Sequence, residues 1–280
     1  MTEIDYGRFH ELLEQTRSAG GSDTRWELLR RFQEEWGYRP RPRERRRRDA
    51  PDEHKEYVAN LKAATPDDVD RSLAVPAALD EWWDLPFNSL ADLWEAYETN
   101  PVWPPTVRPD PSGYGTSGGL PSGNPFVGPG DDQRVCVFMA ENQYCNEWGY
   151  PAAHAHLADP QVLVSGLDDK YEPVWLLQSH SVSEFLLQLA VTRLPAHYGH
   201  IVEDGEVDPE VVTRLRTHLQ PMGFLPWREL GAHTEYFGGL DVIVAHNTGE
   251  GDFALAAYGR TEKALERLAE TLGLDWAEED

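Results

Sequence analysis

The sequence predicts an α+β fold in which a largely antiparallel sheet carries helices on one face and at its ends. The strongest strand signal is residues 135–140, which are apolar on both alternating faces, as in a strand that is covered on both sides. Shorter strand candidates follow at residues 161–164 and 173–177. A helix is predicted directly afterwards, because Ser181 and Glu184 have the S-x-x-E spacing of a capping box.

An N-terminal extension precedes these strands and is predicted to form a helical hairpin. Aromatic and leucine side chains recur there at helical spacing in two segments, Tyr6, Phe9, Leu12 and Leu13, then Trp26, Leu29, Phe32 and Trp36. The arginine-rich run 39–48 follows, and its first prolines oppose helix formation. This run lacks interleaved aromatics and joins an acidic body. A linker folded back on that body, or a solvated face, is therefore favoured over a nucleic-acid arm.

The C-terminal part is predicted to contain two helices with a strand pair between them. Asp208 is placed to cap a helix that Pro209 begins, and Thr261 is placed to cap the last helix. The sequence predicts a pair of antiparallel strands at residues 240–246 and 253–258. Further helices are predicted near residues 57–61, 79–83 and 90–97.

Residues 104–131 are predicted to form a long surface loop that folding does not require. The segment has seven prolines and seven glycines in 28 positions and no apolar periodicity. It contains a G-x-G-x-x-G pattern at residues 113–118. A dinucleotide loop needs that pattern between a strand and a helix, and the flanking prolines oppose both elements. A nucleotide site is therefore not predicted.

The charge of the chain predicts the chemistry of its partner. Lys plus Arg number 25 and Asp plus Glu number 49, which gives a net charge of −24. Residues 1–48 hold 12 of the bases and 9 of the acids, so the remainder has 13 bases and 40 acids, or −27. Such a body repels nucleic acid and anionic membrane and favours a basic protein. With no apolar run near the roughly 20 residues of a membrane span and no signal peptide, a cytoplasmic location with reduced Cys136 and Cys145 is expected.

Three segments carry patterns that belong together. Residues 75–83 look like an LP-x-x-L-x-E-W helix, residues 137–148 look like a strand that ends in a polar turn and a tryptophan, and residues 181–189 look like an S-F-x-x-F-L helix. In these segments the chain resembles the SUKH superfamily, whose members include bacterial toxin-immunity proteins and fungal regulators of cell-wall synthesis. The resemblance covers residues 73–194. It implies a SUKH-like fold with three parts: a helical extension with a basic linker (1–50), the SUKH-like domain (51–200), and a C-terminal part that completes the same domain (201–280).

An enzyme is the rival interpretation, and its only compact ligand set is His154, His156 and Asp159. In an extended segment the two histidines would point the same way and could hold a metal ion for a hydrolase-type reaction. The context is loop-like, and the chain has no H-E-x-x-H and no G-x-S-x-G. We therefore predict no catalytic residue, no metal and no cofactor.

The candidate partner-binding site combines aromatic and acidic side chains in or beside loops. Its predicted members are Glu141, Tyr144, Glu147, Trp148, Tyr150, Trp103, Tyr114, Asp131 and Asp132. Exposed Tyr and Trp anchor protein interfaces, and carboxylates steer Arg and Lys. One alternative is that the aromatic rings are buried at the ends of the sheet and the carboxylates are simply solvated. Another is that Glu141 and Glu147 form an acid/base pair.

These observations predict a non-enzymatic protein-binding module. The resemblance and the charge together favour an immunity-like protein that neutralises a basic toxin, such as a nuclease whose groove must attract phosphate. The alternative in the same family is an intracellular regulator or scaffold without a toxin. A hydrolase-type enzyme is the third possibility.

Overall fold

A computed structural model describes residues 3–19, 22–40, 69–87, 93, 96–110, 118–167, 170 and 172–276. Several sequence predictions lie outside these residues. They are the helix near 57–61, most of the helix at 90–97, the run 41–48, and Tyr114 with most of the G-x-G-x-x-G pattern.

The described residues form seven α-helices, eleven strands and two short 3₁₀-helices, at Tyr6–Arg8 and Ala152–His154. The helices are α1 (Phe9–Ala19), α2 (Ser22–Arg25), α3 (Glu27–Glu35), α4 (Ala77–Asp84), α5 (Val182–Tyr198), α6 (Pro209–His218) and α7 (Glu262–Leu272). The strands are β1 (Thr99–Arg108), β2 (Val135–Glu141), β3 (Glu147–Pro151), β4 (Val162–Leu167), β5 (Pro173–Ser179), β6 (His200–Asp204), β7 (Gln220–Pro221), β8 (Trp227–Glu229), β9 (Ala232–Gly239), β10 (Val242–Asn247) and β11 (Leu255–Gly259). The fold is mixed α and β with antiparallel sheets, as predicted.

The chain divides into two compact units, and the division differs from the expected boundaries. The terminal unit comprises Met1–Arg39 and Leu187–Asp280, and the central unit comprises Pro40–Leu186. The N-terminal extension therefore belongs to the same unit as the C-terminal part, because it packs on the C-terminal sheet. The backbone of Asp5 bridges to Leu240. A Cβ on Gly238 would lie 2.1 Å from the carbonyl oxygen of Tyr6, so only glycine permits this approach.

The central unit is built on a five-stranded meander in the order β1-β2-β3-β4-β5. Every residue of β2 is buried, which confirms the strand predicted from its apolar run. On one face Phe138 packs edge-on against Phe185 of α5, with ring centroids 5.5 Å apart. On the other face Val135 and Val137 pack in a cluster that includes Leu120.

The prediction that residues 104–131 form an exposed surface loop is wrong in two respects, while its dispensability for folding stays a prediction. Its first residues belong to β1, where prolines are tolerated because β1 is an edge strand. Its later part covers the sheet: Leu120 is buried, and the Trp175 indole N–H donates to the carbonyl of Gly118 at 2.7 Å. The Asn124 side-chain oxygen accepts hydrogen bonds from the backbone N–H groups of Phe126 and Val127. These bonds hold the covering segment in place although it contains no helix or strand.

The terminal unit is built on a second sheet with the path β6-β11-β10-β9-β7, and β8 also pairs with β9. Apolar side chains of α6 and α7 pack together on this sheet. The predicted strand pair is confirmed as β10 and β11. Thr261 caps α7 as predicted, since its hydroxyl accepts the Ala264 N–H, whereas the Asp208 side chain makes no such bond at the start of α6. Within the part of the chain that the structure describes, no helix has the length and apolar character needed to cross a membrane.

Candidate functional site

The turn between β2 and β3 is held rigidly by Glu141. This side chain is buried, and its carboxylate accepts the backbone N–H of Gln143 at 2.9 Å and that of Cys145 at 3.2 Å. The Tyr144 N–H donates to the Glu141 carbonyl at 2.9 Å, which closes the turn. Glu141 was expected to steer a partner. The structure corrects this, because its charge is used inside the turn.

Tyr144 lies at the tip of this turn and is the most exposed large hydrophobic residue among those described. Its side chain is 66% exposed, and its backbone is left-handed, with φ of 63°. A non-glycine residue is uncommon in that region, where Gly, Asn and Asp are best tolerated. Burial does not account for a tyrosine at this position, and backbone conformation disfavours one. The residue is therefore a functional candidate.

The carboxylate of Glu147 is also used within the chain. The Arg108 guanidinium donates to both of its oxygens, with Nη2 2.5 Å from Oε1 and Nε 3.1 Å from Oε2, and both side chains are largely buried. The pair joins β1 to β3. Glu147 therefore holds the sheet together and is not free to steer a basic partner or to act as an acid/base partner of Glu141.

Trp148 and Tyr150 are core residues, which corrects their assignment to the partner surface. Both are buried, and the rings of Trp148 and Phe185 lie 5.7 Å apart. Tyr150 stacks on Phe138 with ring centroids 6.3 Å apart. The neighbouring thiol of Cys136 is buried too, and burial raises its pKa to about 12, so it is protonated at neutral pH.

Asp131 and Asp132, two further predicted members of the site, lie away from Tyr144. Asp131 and Asp132 precede β2, while Tyr144 follows it, and seven residues of strand span roughly 20 Å. The Asp132 carboxylate pairs with Arg134, and Asp131 accepts the N–H of Gly128. Trp103 lies within β1, half-buried, with its ring 5.3 Å from that of Trp83. Tyr114 lies outside the described residues.

Leu167 is the residue that sequence reasoning missed. It is 59% exposed and ends β4. The register pairs Trp148 with Val164, and the Asn146 side-chain amide donates to the Ser165 carbonyl at 2.6 Å. Leu167 therefore lies at the same end of the sheet as the Tyr144 turn. Leu167 lies near this turn only because of the register in which β4 pairs with β3, and that register cannot be inferred from a local sequence pattern. We call Gln143, Tyr144, Cys145 and Leu167, which are all exposed, the Tyr144 surface.

The ligand set of the rival enzyme interpretation, His154, His156 and Asp159, does not form a metal site among the described residues. The Asp159 carboxylate accepts the backbone N–H of Ser183 at 3.0 Å and its hydroxyl at 2.6 Å, so it caps α5 together with Ser181. Burial lowers the pKa of His154, and nearby His156 adds to the effect. Among the described residues no group of three or more His, Cys, Asp or Glu side chains could hold a metal ion. That the chain needs no metal or cofactor stays a prediction.

Comparison with known proteins finds no family model, no curated protein and no solved structure that matches this chain. Among the described residues the fold is mixed α and β, and Tyr144 is exposed at one end of the five-stranded sheet.

Proposed function

We propose that this chain is a non-enzymatic protein-binding module of the immunity type, which neutralises a basic toxin by docking through the Tyr144 surface. The observation that carries the proposal is the exposure of Tyr144 at a left-handed position on a rigid turn. Tyrosine is a frequent anchor of protein interfaces, because its ring supplies contact area and its hydroxyl supplies a hydrogen bond. A rigid turn presents the ring with little loss of conformational entropy on binding.

Leu167 extends the proposed contact beyond a single side chain. An anchor is most effective when surrounding contacts exclude water from it. Leu167 supplies a second exposed apolar side chain at the same end of the sheet. The polar side chains of Gln143 and Cys145 flank Tyr144 in sequence and suit the rim of such a contact.

The charge of the whole chain supports a basic partner. Glu141 and Glu147 are engaged within the chain, so the electrostatic contribution does not come from these two carboxylates. It comes instead from the net charge of −24, which accelerates the encounter with a basic protein and weakens as salt is added. A nuclease toxin has the required chemistry, because its groove must attract phosphate.

The resemblance of residues 73–194 to the SUKH superfamily supports the immunity class in particular. The same resemblance also includes regulators and scaffolds without a toxin. The alternative function is therefore protein binding through the same surface with a partner that has no toxic activity.

A protection experiment tests the proposal. The chain is co-expressed with the basic product of a gene next to its own, and cell survival is compared for the wild type, Tyr144→Ala and the control Leu230→Ala, which removes an exposed hydrophobic residue of the terminal unit. We expect protection by the wild type and the control and loss of protection with Tyr144→Ala. Binding without toxicity would favour the regulator, and equal protection by all three chains would contradict the proposed surface.

A further inference from the structure

Strand β6 is the outermost strand on one side of the six-stranded sheet. Its residues pair with β11, from His200 opposite Gly259 to Asp204 opposite Leu255. Among the described residues no second strand pairs with it. The outer edge of such a strand carries backbone N–H and C=O groups that can form a ladder with another chain.

The side chains along β6 combine apolar and acidic character. Ile201 is 42% exposed, and Glu203, two residues further, is exposed on the same face of the sheet. Val202 points to the opposite face and packs against the core beneath α6 and α7. The segment that follows carries further exposed carboxylates at Glu206, Asp208 and Glu210.

We propose that the edge of β6 receives an extended basic segment of a partner protein as an added strand. Strand addition obtains affinity from the backbone ladder and specificity from side chains at alternate positions. An apolar residue beside Ile201 and a Lys or Arg two positions away beside Glu203 would form favourable cross-strand pairs. The matching motif is therefore apolar-x-basic in an extended chain.

The acidic side chains select between occupants. A second copy of β6 offers no Lys or Arg to pair with Glu203 and Asp204, and in the antiparallel register centred on Glu203 it places two like charges opposite each other, which is destabilising. The same carboxylates attract a basic strand. The charge of the β6 edge therefore disfavours pairing with a second copy of this chain and favours pairing with a basic partner. This inference uses residues of the terminal unit and does not depend on the role proposed for Tyr144.

A pair of synthetic peptides tests the inference with the full chain. The first repeats Val-Thr-Lys-Thr over twelve residues, and the second replaces each Val and each Thr by Pro, which keeps the charge but removes backbone donors on both edges of the peptide strand. Binding of fluorescently labelled peptide is followed by anisotropy at low salt. We expect the threonine peptide to bind at least tenfold more tightly than the proline peptide.

Protein variants then locate the contact. Glu203→Lys should weaken binding of the threonine peptide at least tenfold, whereas Glu266→Lys, the same charge change on exposed α7, should weaken it less than threefold. Equal binding of the two peptides, equal effects of the two variants, or no binding at all would overturn the inference. A concentration-dependent dimer of the wild type that Glu203→Lys abolishes would also overturn it, because the occupant would then be a second copy.

Discussion

Arg260 and Asp241 form a buried ion pair in the terminal unit, with Arg260 Nη1 2.6 Å from Asp241 Oδ1 and side chains only 7% and 8% exposed. The same carboxylate oxygen accepts the backbone N–H of Ile4 at 2.9 Å, and Arg260 Nε donates to the carbonyl of Glu35 at 3.1 Å. The pair therefore joins the N-terminal segment and the end of α3 to the strands of the sheet.

Removing one partner of this pair should destabilise the protein strongly. Arg260→Ala leaves the Asp241 carboxylate buried without its charge partner, which typically costs about 3–5 kcal/mol of unfolding free energy. The control is Arg216→Ala, which removes the more exposed pair with Glu235 and should cost about 1 kcal/mol or less. Urea denaturation measures both. Equal losses in the two variants would contradict the structural role of the Arg260 pair.

Substitution of Leu120 tests whether the segment that covers the five-stranded sheet contributes to the stability of the protein. Leu120→Ala leaves a cavity beside Val135 and Val137 and should cost about 2–4 kcal/mol. Ser122→Ala, at an exposed position of the same segment, should change stability by less than about 0.5 kcal/mol. If Leu120→Ala melts like the wild type, this segment is a surface loop after all.

His246 should make the protein sensitive to mild acid. Burial lowers the pKa of this imidazole, and Arg216 lowers it further, while Glu235 opposes the shift. Because the fold favours neutral His246, the unfolded chain takes up the proton first as the pH falls below about 6.5. The stability that neutral His246 contributes is complete above that pH and is lost as the pH falls through the pKa of the folded state.

The measurement is the free energy of unfolding of wild type and His246→Gln between pH 8 and pH 5. We expect the variant to have a flatter dependence on pH in the acid half of this range. The exposed His218→Gln serves as the control and should follow the wild-type curve. A His246→Gln curve parallel to that of the wild type would show that another group is responsible.

Tyr144 should lower the stability of the fold, whereas a residue with a structural role would raise it. Left-handed backbone is unfavourable for a side chain with a Cβ by roughly 1 kcal/mol, and glycine avoids this penalty. Tyr144→Gly should therefore raise the free energy of unfolding by about 0.5–1 kcal/mol, whereas Tyr144→Ala should not. A clear loss of stability in Tyr144→Gly would mean that the ring is packed in the fold.

The elements predicted correctly are those that local chemistry specifies. Strand β2 follows from an apolar run, and α7 follows from the Thr261 cap and a regular apolar stripe. Strand β3 was missed, because it contains Gly149 and Pro151 and is defined by its pairing with β2 and β4. Strand β1 was also not predicted, because it contains prolines, which a strand tolerates only at the edge of a sheet. Its edge position is set by tertiary structure and cannot be inferred from the local sequence.

The turn between β2 and β3 could be predicted from the sequence, but the exposure of its side chains could not. The turn that carries Tyr144 follows directly from the end of β2, and the sequence places it there. Whether an aromatic ring near a turn points to solvent or to the core depends on tertiary packing, so Trp148 could not be separated from Tyr144 by sequence. The sequence alone suggests that the Glu141 carboxylate is solvated, because the backbone N–H groups that donate to it, those of Gln143 and Cys145, come into reach only in the folded turn.

The binding affinity of Tyr144 variants for the basic partner tests the central claim most directly. Calorimetric titration of the partner with wild type, Tyr144→Ala and Tyr144→Phe compares loss of the ring with loss of the hydroxyl alone. We predict that Tyr144→Ala weakens binding by about 2 kcal/mol or more, roughly thirtyfold, and that Tyr144→Phe retains most of the affinity. Unfolding measured on the same samples should show Tyr144→Ala still folded. Unchanged affinity of folded Tyr144→Ala would contradict the account.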